Sequence, residues 1–113
     1  MSPKTEKMAS KYIAELQGVI RHLHGVEATH VESVAVKERF QGKTVWDGVV
    51  EIFELHGHPK AQRIYAWAHH TDDPKKSKRH VTVLHIEPIT SAVLAVRAAI
   101  VQEYKDLGTA EES

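Results

Sequence analysis

Apolar residues near the start of the chain recur with the period of an α-helix. Their spacing of three and four residues predicts an amphipathic helix over residues 3–24, with a stripe formed by Ile13, Leu16, Ile20 and Leu23. Pro3 suits the first helical position, and Gly25 suits the position after the last turn. The chain is therefore expected to begin with a helix that buries one side.

Four segments in the middle of the chain have the composition and alternation of β-strands. Turn signals separate them, namely "QGKT", "GHPKAQ" and "TDDPKKSK", and Pro88 follows the last segment. The predicted strands cover about 30–40, 45–56, 63–70 and 80–87. Because the connections are short, consecutive strands are expected to pair in antiparallel fashion.

A second helix is predicted over about 91–107. Thr90 or Ser91 serves as its cap and Gly108 as its stop, and its stripe consists of Val93, Val96, Ile100, Tyr104 and Leu107. Residues 1–2 and 109–113 are expected to be frayed. The four predicted strands therefore lie between two predicted helices in the chain.

These elements predict a single α+β domain over residues 1–113 with the order α-β-β-β-β-α. The expected architecture is a two-layer sandwich. In it, a four-stranded antiparallel meander carries both helices on one face.

Alternation along the strands divides their side chains between two faces. The set expected beneath the helices is Val34, Val36, Phe40, Trp46, Val50, Ile52, Ile64, Ala66, Ala68, Leu84 and Ile86. The opposite set is also rich in apolar and aromatic residues, and consists of Val49, Glu51, Phe53, Leu55, Tyr65, Trp67, His69, Val81, Val83 and His85. A sheet covered on one side should instead carry polar residues on the other.

Three arrangements would explain an apolar second face. The helices divide between both faces, two protomers pack sheet to sheet, or the sheet curls around a pocket. A large exposed apolar surface marks an interaction site. The leading interpretation is therefore a small binding domain that forms a homodimer, another oligomer or a complex with a protein partner through this aromatic sheet face.

A small-molecule site on the same face is the alternative. A few polar groups set among aromatic ones are typical of ligand pockets, and a histidine beside a carboxylate can act as a general base. The candidate binding residues are Glu51, Phe53, Tyr65, Trp67, His69 and His85. The competing interpretation of the same residues is a hydrogen-bonded histidine or tyrosine inside a dimer interface, and whether the protein is an enzyme stays open.

Charge and composition reduce the number of functional classes that the protein could belong to. Lysine and arginine total 15, equal to aspartate and glutamate, and this balance disfavours nucleic-acid binding, which rests on excess positive charge. The candidate nucleic-acid contacts lie in one predicted loop and are Lys75, Lys76, Lys78 and Arg79. Asp72 and Asp73 precede them and reduce the local field, which favours a solvated turn.

Metal, cofactor and membrane chemistry find little support in the sequence. His56 and His58 flank a glycine at a strand end and are the candidate metal ligands, but no cysteine or HExxH motif accompanies them. No metal or cofactor is therefore expected. Neither an apolar run of about 20 residues nor a signal-peptide pattern is present, so we expect a cytoplasmic protein without a membrane span.

Overall fold

A computed structural model of the chain describes residues 3–70, 75 and 78–112. Its elements follow the order α-β-β-β-β-α, which confirms the predicted α+β class and order. Their bounds are α1 Pro3–His24, β1 Glu27–Phe40, β2 Lys43–His56, β3 Arg63–His70, β4 Lys78–Leu84 and α2 Ala92–Glu112. Residues 1–2 and 113, part of the expected frayed ends, lie outside the described residues.

The helix ends show how local sequence sets the element bounds. Gly25 has a φ of 70°, and its N–H bonds the carbonyl of Arg21 at 2.9 Å, so the glycine ends α1 as predicted. Ser91 caps α2, because its Oγ accepts the N–H of Leu94 at 3.2 Å. The predicted stop at Gly108 is wrong, since α2 continues to Glu112. A glycine inside a helix costs only about 1 kcal/mol relative to alanine.

The four strands form one antiparallel sheet in the order β1-β2-β3-β4. β1 and β2 pair along nearly their whole length, with a bulge at Val31. β2 and β3 pair over only four positions, from Glu51 with Ala66 to Glu54 with Arg63. The two hairpins therefore separate beyond Glu51 and Ala66, and we call this divergence the fork.

The expectation that both helices lie on one face is wrong. Leu16 and Ile20 of α1 pack with Phe53 and Ile64, whereas α2 packs with the alternate residues of the same strands. The α2 cluster comprises Ala92, Ala95, Val96, Val36, Val50, Ile52, Tyr65 and Trp67. The sheet thus has an α1 face and an α2 face, and the apolar character of both faces follows from helices dividing between them.

The predicted division of side chains between the two faces was wrong where β2 pairs with β3. Phe53 pairs with Ile64, and Ile52 pairs with Tyr65, so odd-numbered residues of β2 share a face with even-numbered residues of β3. The number of residues in the connecting loop, 57–62, sets this parity. Strand alternation alone cannot reveal it.

No helix in the described part of the chain is long and apolar enough to cross a membrane.

Candidate functional site

The α1 face carries two adjacent rows of very different side chains. Phe53, Ile64 and Leu84 form a row of large residues beneath Leu16 and Ile20 of α1. The neighbouring row is small or polar and runs across all four strands as Ser33, Glu51, Ala66 and Thr82. Because Ser33 and Ala66 flank Glu51 with short side chains, space remains above its carboxylate.

The fork lies directly beside this small row. The backbone N–H of Ala68 lies two residues beyond Ala66, where the β2–β3 pairing ends, and the Tyr12 hydroxyl accepts its hydrogen bond at 2.9 Å. Tyr12 belongs to α1, so the helix supplies the acceptor that β2 would otherwise provide. The phenol is thereby fixed beside Glu51.

Glu51 is a buried carboxylate with two side-chain donors. The residue is 6% exposed, and His30 Nε2 lies 2.9 Å from its Oε1. The Ser33 hydroxyl donates to the same oxygen. Since an ionised carboxylate can only accept hydrogen bonds, Nε2 is the nitrogen of His30 that carries a proton. We call Glu51, His30, Ser33 and Tyr12 the Glu51 cluster.

A β-bulge brings His30 and Ser33 to the same face. Residues three apart on a regular strand point to opposite faces, but Val31 has no partner on β2, so the alternation shifts by one. His30 then pairs with Phe53, and Ser33 pairs with Glu51. Both side chains consequently reach the carboxylate from one strand.

The Glu51 cluster lies in a cleft open to solvent with a volume of about 440 Å³, which we call the Glu51 cleft. Its described lining consists of Ser10, Tyr12, Ile13, His30, Ser33 and Glu51. Burial raises the pKa of the Tyr12 phenol, and the charges of Glu51 and Glu15 raise it further, while the Ala68 hydrogen bond acts in the opposite direction. Tyr12 is therefore a protonated hydrogen-bond donor at neutral pH.

The residues predicted to form one sheet-face pocket are divided between the two faces. Glu51 and Phe53 lie on the α1 face, whereas Tyr65 and Trp67 are buried beneath α2 on the opposite face. The expectation that they share a face is wrong, because it rested on the incorrect β2–β3 register. A binding role for each residue stays a prediction.

Two histidines of the predicted set lie on the α2 side. His85 Nδ1 is 2.5 Å from the Tyr65 hydroxyl, so these two side chains are neighbours, although Tyr65 pairs in the sheet with Val83. His69 Nε2 lies 3.7 Å from a carboxylate oxygen of Glu103 on α2. These contacts connect the sheet to surrounding elements and do not converge on Glu51.

The candidate metal ligands have other contacts. His58 Nδ1 accepts the backbone N–H groups of Lys60 and Ala61, each at 3.0 Å, which orders the turn before β3. His56 Nε2 is 2.6 Å from the Thr29 hydroxyl. Within residues 3–70, 75 and 78–112, no group of three or more metal-binding side chains comes together.

The basic loop is only partly described, since Lys76 lies outside the described residues. Lys78 Nζ is 3.5 Å from a Glu15 oxygen, and an Arg79 nitrogen is 3.8 Å from Glu103. Lys75 is exposed in a turn. Carboxylates close to Lys78 and Arg79 reduce the field available to a phosphate backbone, and nucleic-acid binding here stays a prediction.

Three members of the Glu51 cluster were missed by sequence reasoning. Alternation identified Glu51 as a polar residue among apolar ones, but His30, Ser33 and Tyr12 carried no motif. The only clue was that His30 and Ser33 are polar residues three apart on one strand. They share a face only because of the bulge, which a regular strand pattern does not predict.

A comparison with protein-family models finds no matching family, and searches of curated proteins and of solved structures find no match.

Proposed function

We propose that the protein binds a small polar molecule in the Glu51 cleft and exchanges a proton with it. The observation that carries the proposal is a buried carboxylate in contact with an imidazole and a hydroxyl at the base of an open cleft. Concave sites with a few converging polar groups are typical of ligand binding. A histidine held by a carboxylate is a common general base.

The contacts assign a different role to each side chain. Glu51 accepts the Nε2–H of His30, which leaves Nδ1 as the basic nitrogen of the neutral ring. Both hydrogen-bond contacts of His30 within the described part of the chain are at Nε2, and none is at Nδ1. Tyr12 supplies a hydroxyl proton for an oxygen of the ligand. His30 is thus the proton acceptor, Glu51 its positioning residue and Tyr12 the donor.

Ser33 does not have the role of a serine nucleophile. In a serine triad the hydroxyl hydrogen-bonds the nitrogen of the base, and the carboxylate holds the other nitrogen. Here Ser33 donates to Glu51, and His30 uses the same Nε2 toward that carboxylate. The nucleophile or acidic proton must therefore come from water or from the bound molecule.

A contribution to stability alone does not explain why a carboxylate occupies the buried position of Glu51. A buried charge with its partners is often no more stable than apolar side chains of similar volume. Its neighbours on the α1 face include the apolar Phe53 and Ala66, so a leucine at this position would continue the core. A carboxylate in such a position is expected where a site requires it.

Hydrolysis of p-nitrophenyl acetate tests the proposal. His30 Nδ1 takes a proton from water, the water oxygen bonds the acetyl carbon, and p-nitrophenolate leaves. Positioned general bases contribute about 10²-fold or more, so we expect His30→Asn to lower the rate constant at least about tenfold on this small probe. His22→Asn, an exposed histidine of α1, is the matched control and should leave the rate unchanged. Equal rates for both variants would contradict the proposal.

The interpretation as a cytoplasmic homo-oligomer stays a separate prediction. The aromatic sheet face on which it rested is filled by α2, so an oligomer would need another surface. Sedimentation over a range of protein concentrations tests it, and a strict monomer would remove it.

A further inference from the structure

The end of the β1–β2 hairpin and the neighbouring side of α2 enclose a second concavity, which we call the hairpin groove. Its volume is about 550 Å³. Four apolar residues line it, namely Phe40, Val45, Ile100 and Val101, together with the charged residues Glu38, Arg39 and Arg97. None of these residues lines the Glu51 cleft.

Three of the four apolar side chains that line the hairpin groove are exposed, and the fourth, Ile100, is partly buried. Phe40 is 64% exposed and Val101 is 52% exposed, although Val36 of β1 and Val96 of α2 are buried. Single exposed apolar residues are ordinary, but several around one concavity mark a surface that binds a ligand or partner.

The charges around the groove favour an anion. Arg97 Nε donates to Glu38, whose side chain is only 13% exposed, so this carboxylate is already neutralised. Arg39 has no carboxylate partner among the described residues. Two arginines and one glutamate leave a charge of +1 at the groove. A guanidinium at the edge of apolar surface is suited to a carboxylate, which it can hold with two parallel hydrogen bonds.

The dimensions of the groove favour a small molecule over a second protein chain. Seven described residues line it, whereas a stable protein interface uses about 20–30 residues on each side. Its volume lies within the usual range of small-molecule pockets, about 300–1,000 Å³.

We propose that the hairpin groove binds a small amphipathic anion, an aliphatic or aryl carboxylate. The apolar body of the ligand lies against Phe40, Val45 and Val101, and its carboxylate contacts Arg39. This site is independent of the acid–base role of the Glu51 cleft, so either proposal can fail alone.

Calorimetric titration of the full chain with octanoate tests the proposal. Octanoate should bind at one site per chain. Acetate, which has the charge without the chain, should give no measurable binding, because burial of apolar surface supplies most of the affinity. Octanol, which has the chain without the charge, should bind about tenfold more weakly than octanoate, since a hydrogen bond to a charged group is lost.

Two substitutions locate the binding. Val101→Glu places a carboxylate in the groove and should abolish octanoate binding. Val49→Glu is the matched control, because Val49 is 47% exposed and lies on the α1 face of β2, and it should leave binding unchanged. Arg39→Gln should weaken octanoate about tenfold and octanol not at all.

Three outcomes would overturn the assignment. The first is octanoate binding that survives Val101→Glu or falls equally in Val49→Glu. The second is Val101-dependent sedimentation with phosphatidylglycerol vesicles in the absence of octanoate binding, which would assign the groove to a lipid surface. The third is a Val101-dependent dimer in sedimentation that excludes octanoate, which would assign the groove to a second copy of the chain.

Discussion

The two faces of one sheet use their side chains differently. On the α2 face, Trp46 and Trp67 pack edge to face with ring centres 5.5 Å apart, and Ala95 and Ala99 allow the helix to approach. On the α1 face, small side chains surround Glu51 and leave a cleft. The conspicuous aromatic residues are therefore core, and the candidate chemistry lies where side chains are small.

The largest expected effects test whether both faces are core. Phe53→Ala on the α1 face and Trp67→Ala on the α2 face should each lower the free energy of unfolding by about 3–5 kcal/mol, measured by urea denaturation. Phe40→Ala, at an exposed phenylalanine, should change it by less than about 0.5 kcal/mol. A small effect of Trp67→Ala would mean that α2 does not cover its face.

Tyr12→Phe should have an intermediate effect, because it removes the acceptor of the Ala68 N–H at the fork. We expect a loss of about 1–2 kcal/mol in the free energy of unfolding. The exchange of the Ala68 amide hydrogen should also become faster, while that of Ala66 should be preserved by its sheet pairing. Unchanged exchange at Ala68 would show that the fork is closed by other contacts.

Glu51→Leu separates stability from chemistry on the α1 face. The free energy of unfolding should change by less than about 1 kcal/mol, because the leucine joins an apolar cluster and the partners His30 and Ser33 can contact water. Hydrolysis of p-nitrophenyl acetate should fall to the level of His30→Asn. A loss above about 3 kcal/mol would instead assign Glu51 a structural role.

The smallest expected effect is on the pH dependence of stability. It concerns His24, the last residue of α1. Burial lowers the pKa of His24, and the charge of His58 lowers it further. Its contribution to stability is complete above about pH 6.5, the value for an unfolded histidine, and is lost as the pH falls through the lower folded pKa. His24→Gln should therefore make the decline in unfolding free energy between pH 7 and pH 5 shallower.

The control for this prediction is His22→Gln, because His22 is an exposed histidine of the same helix. It should follow the wild-type pH dependence. Identical profiles for wild type and His24→Gln would contradict the burial of His24.

Periodicity predicted the elements well, because it depends on local burial. Leu16 and Ile20 have the burial that their spacing indicated, although Leu23 of the same predicted stripe is 57% exposed. In β2 and β3, residues 50–53 and 64–67 are buried on both faces. The relative register of β2 and β3 could not be predicted in this way, since the parity of the loop 57–62 decides which residues share a face. The incorrect grouping of Phe53 with Tyr65 followed from that single step.

The candidate site was predicted only at Glu51. Its partners depend on tertiary geometry: the bulge at Val31 aligns His30 with Ser33, and the helix position delivers Tyr12 to the fork. A bulge leaves no fixed residue signature in one strand. The sequence pattern therefore identified Glu51 as a candidate, but it did not identify His30, Ser33 and Tyr12, the groups that make it a candidate acid–base site.

The most direct test of the central claim is the tautomer of His30, read from long-range ¹H–¹⁵N spectra at pH 8.5, well above the ordinary imidazole pKa. Wild type is predicted to show the Nε2–H form, held by Glu51, and Glu51→Leu is predicted to lose that preference. An Nδ1–H form in wild type, or the same tautomer population in both proteins, would contradict the claim that Glu51 positions His30 as a base.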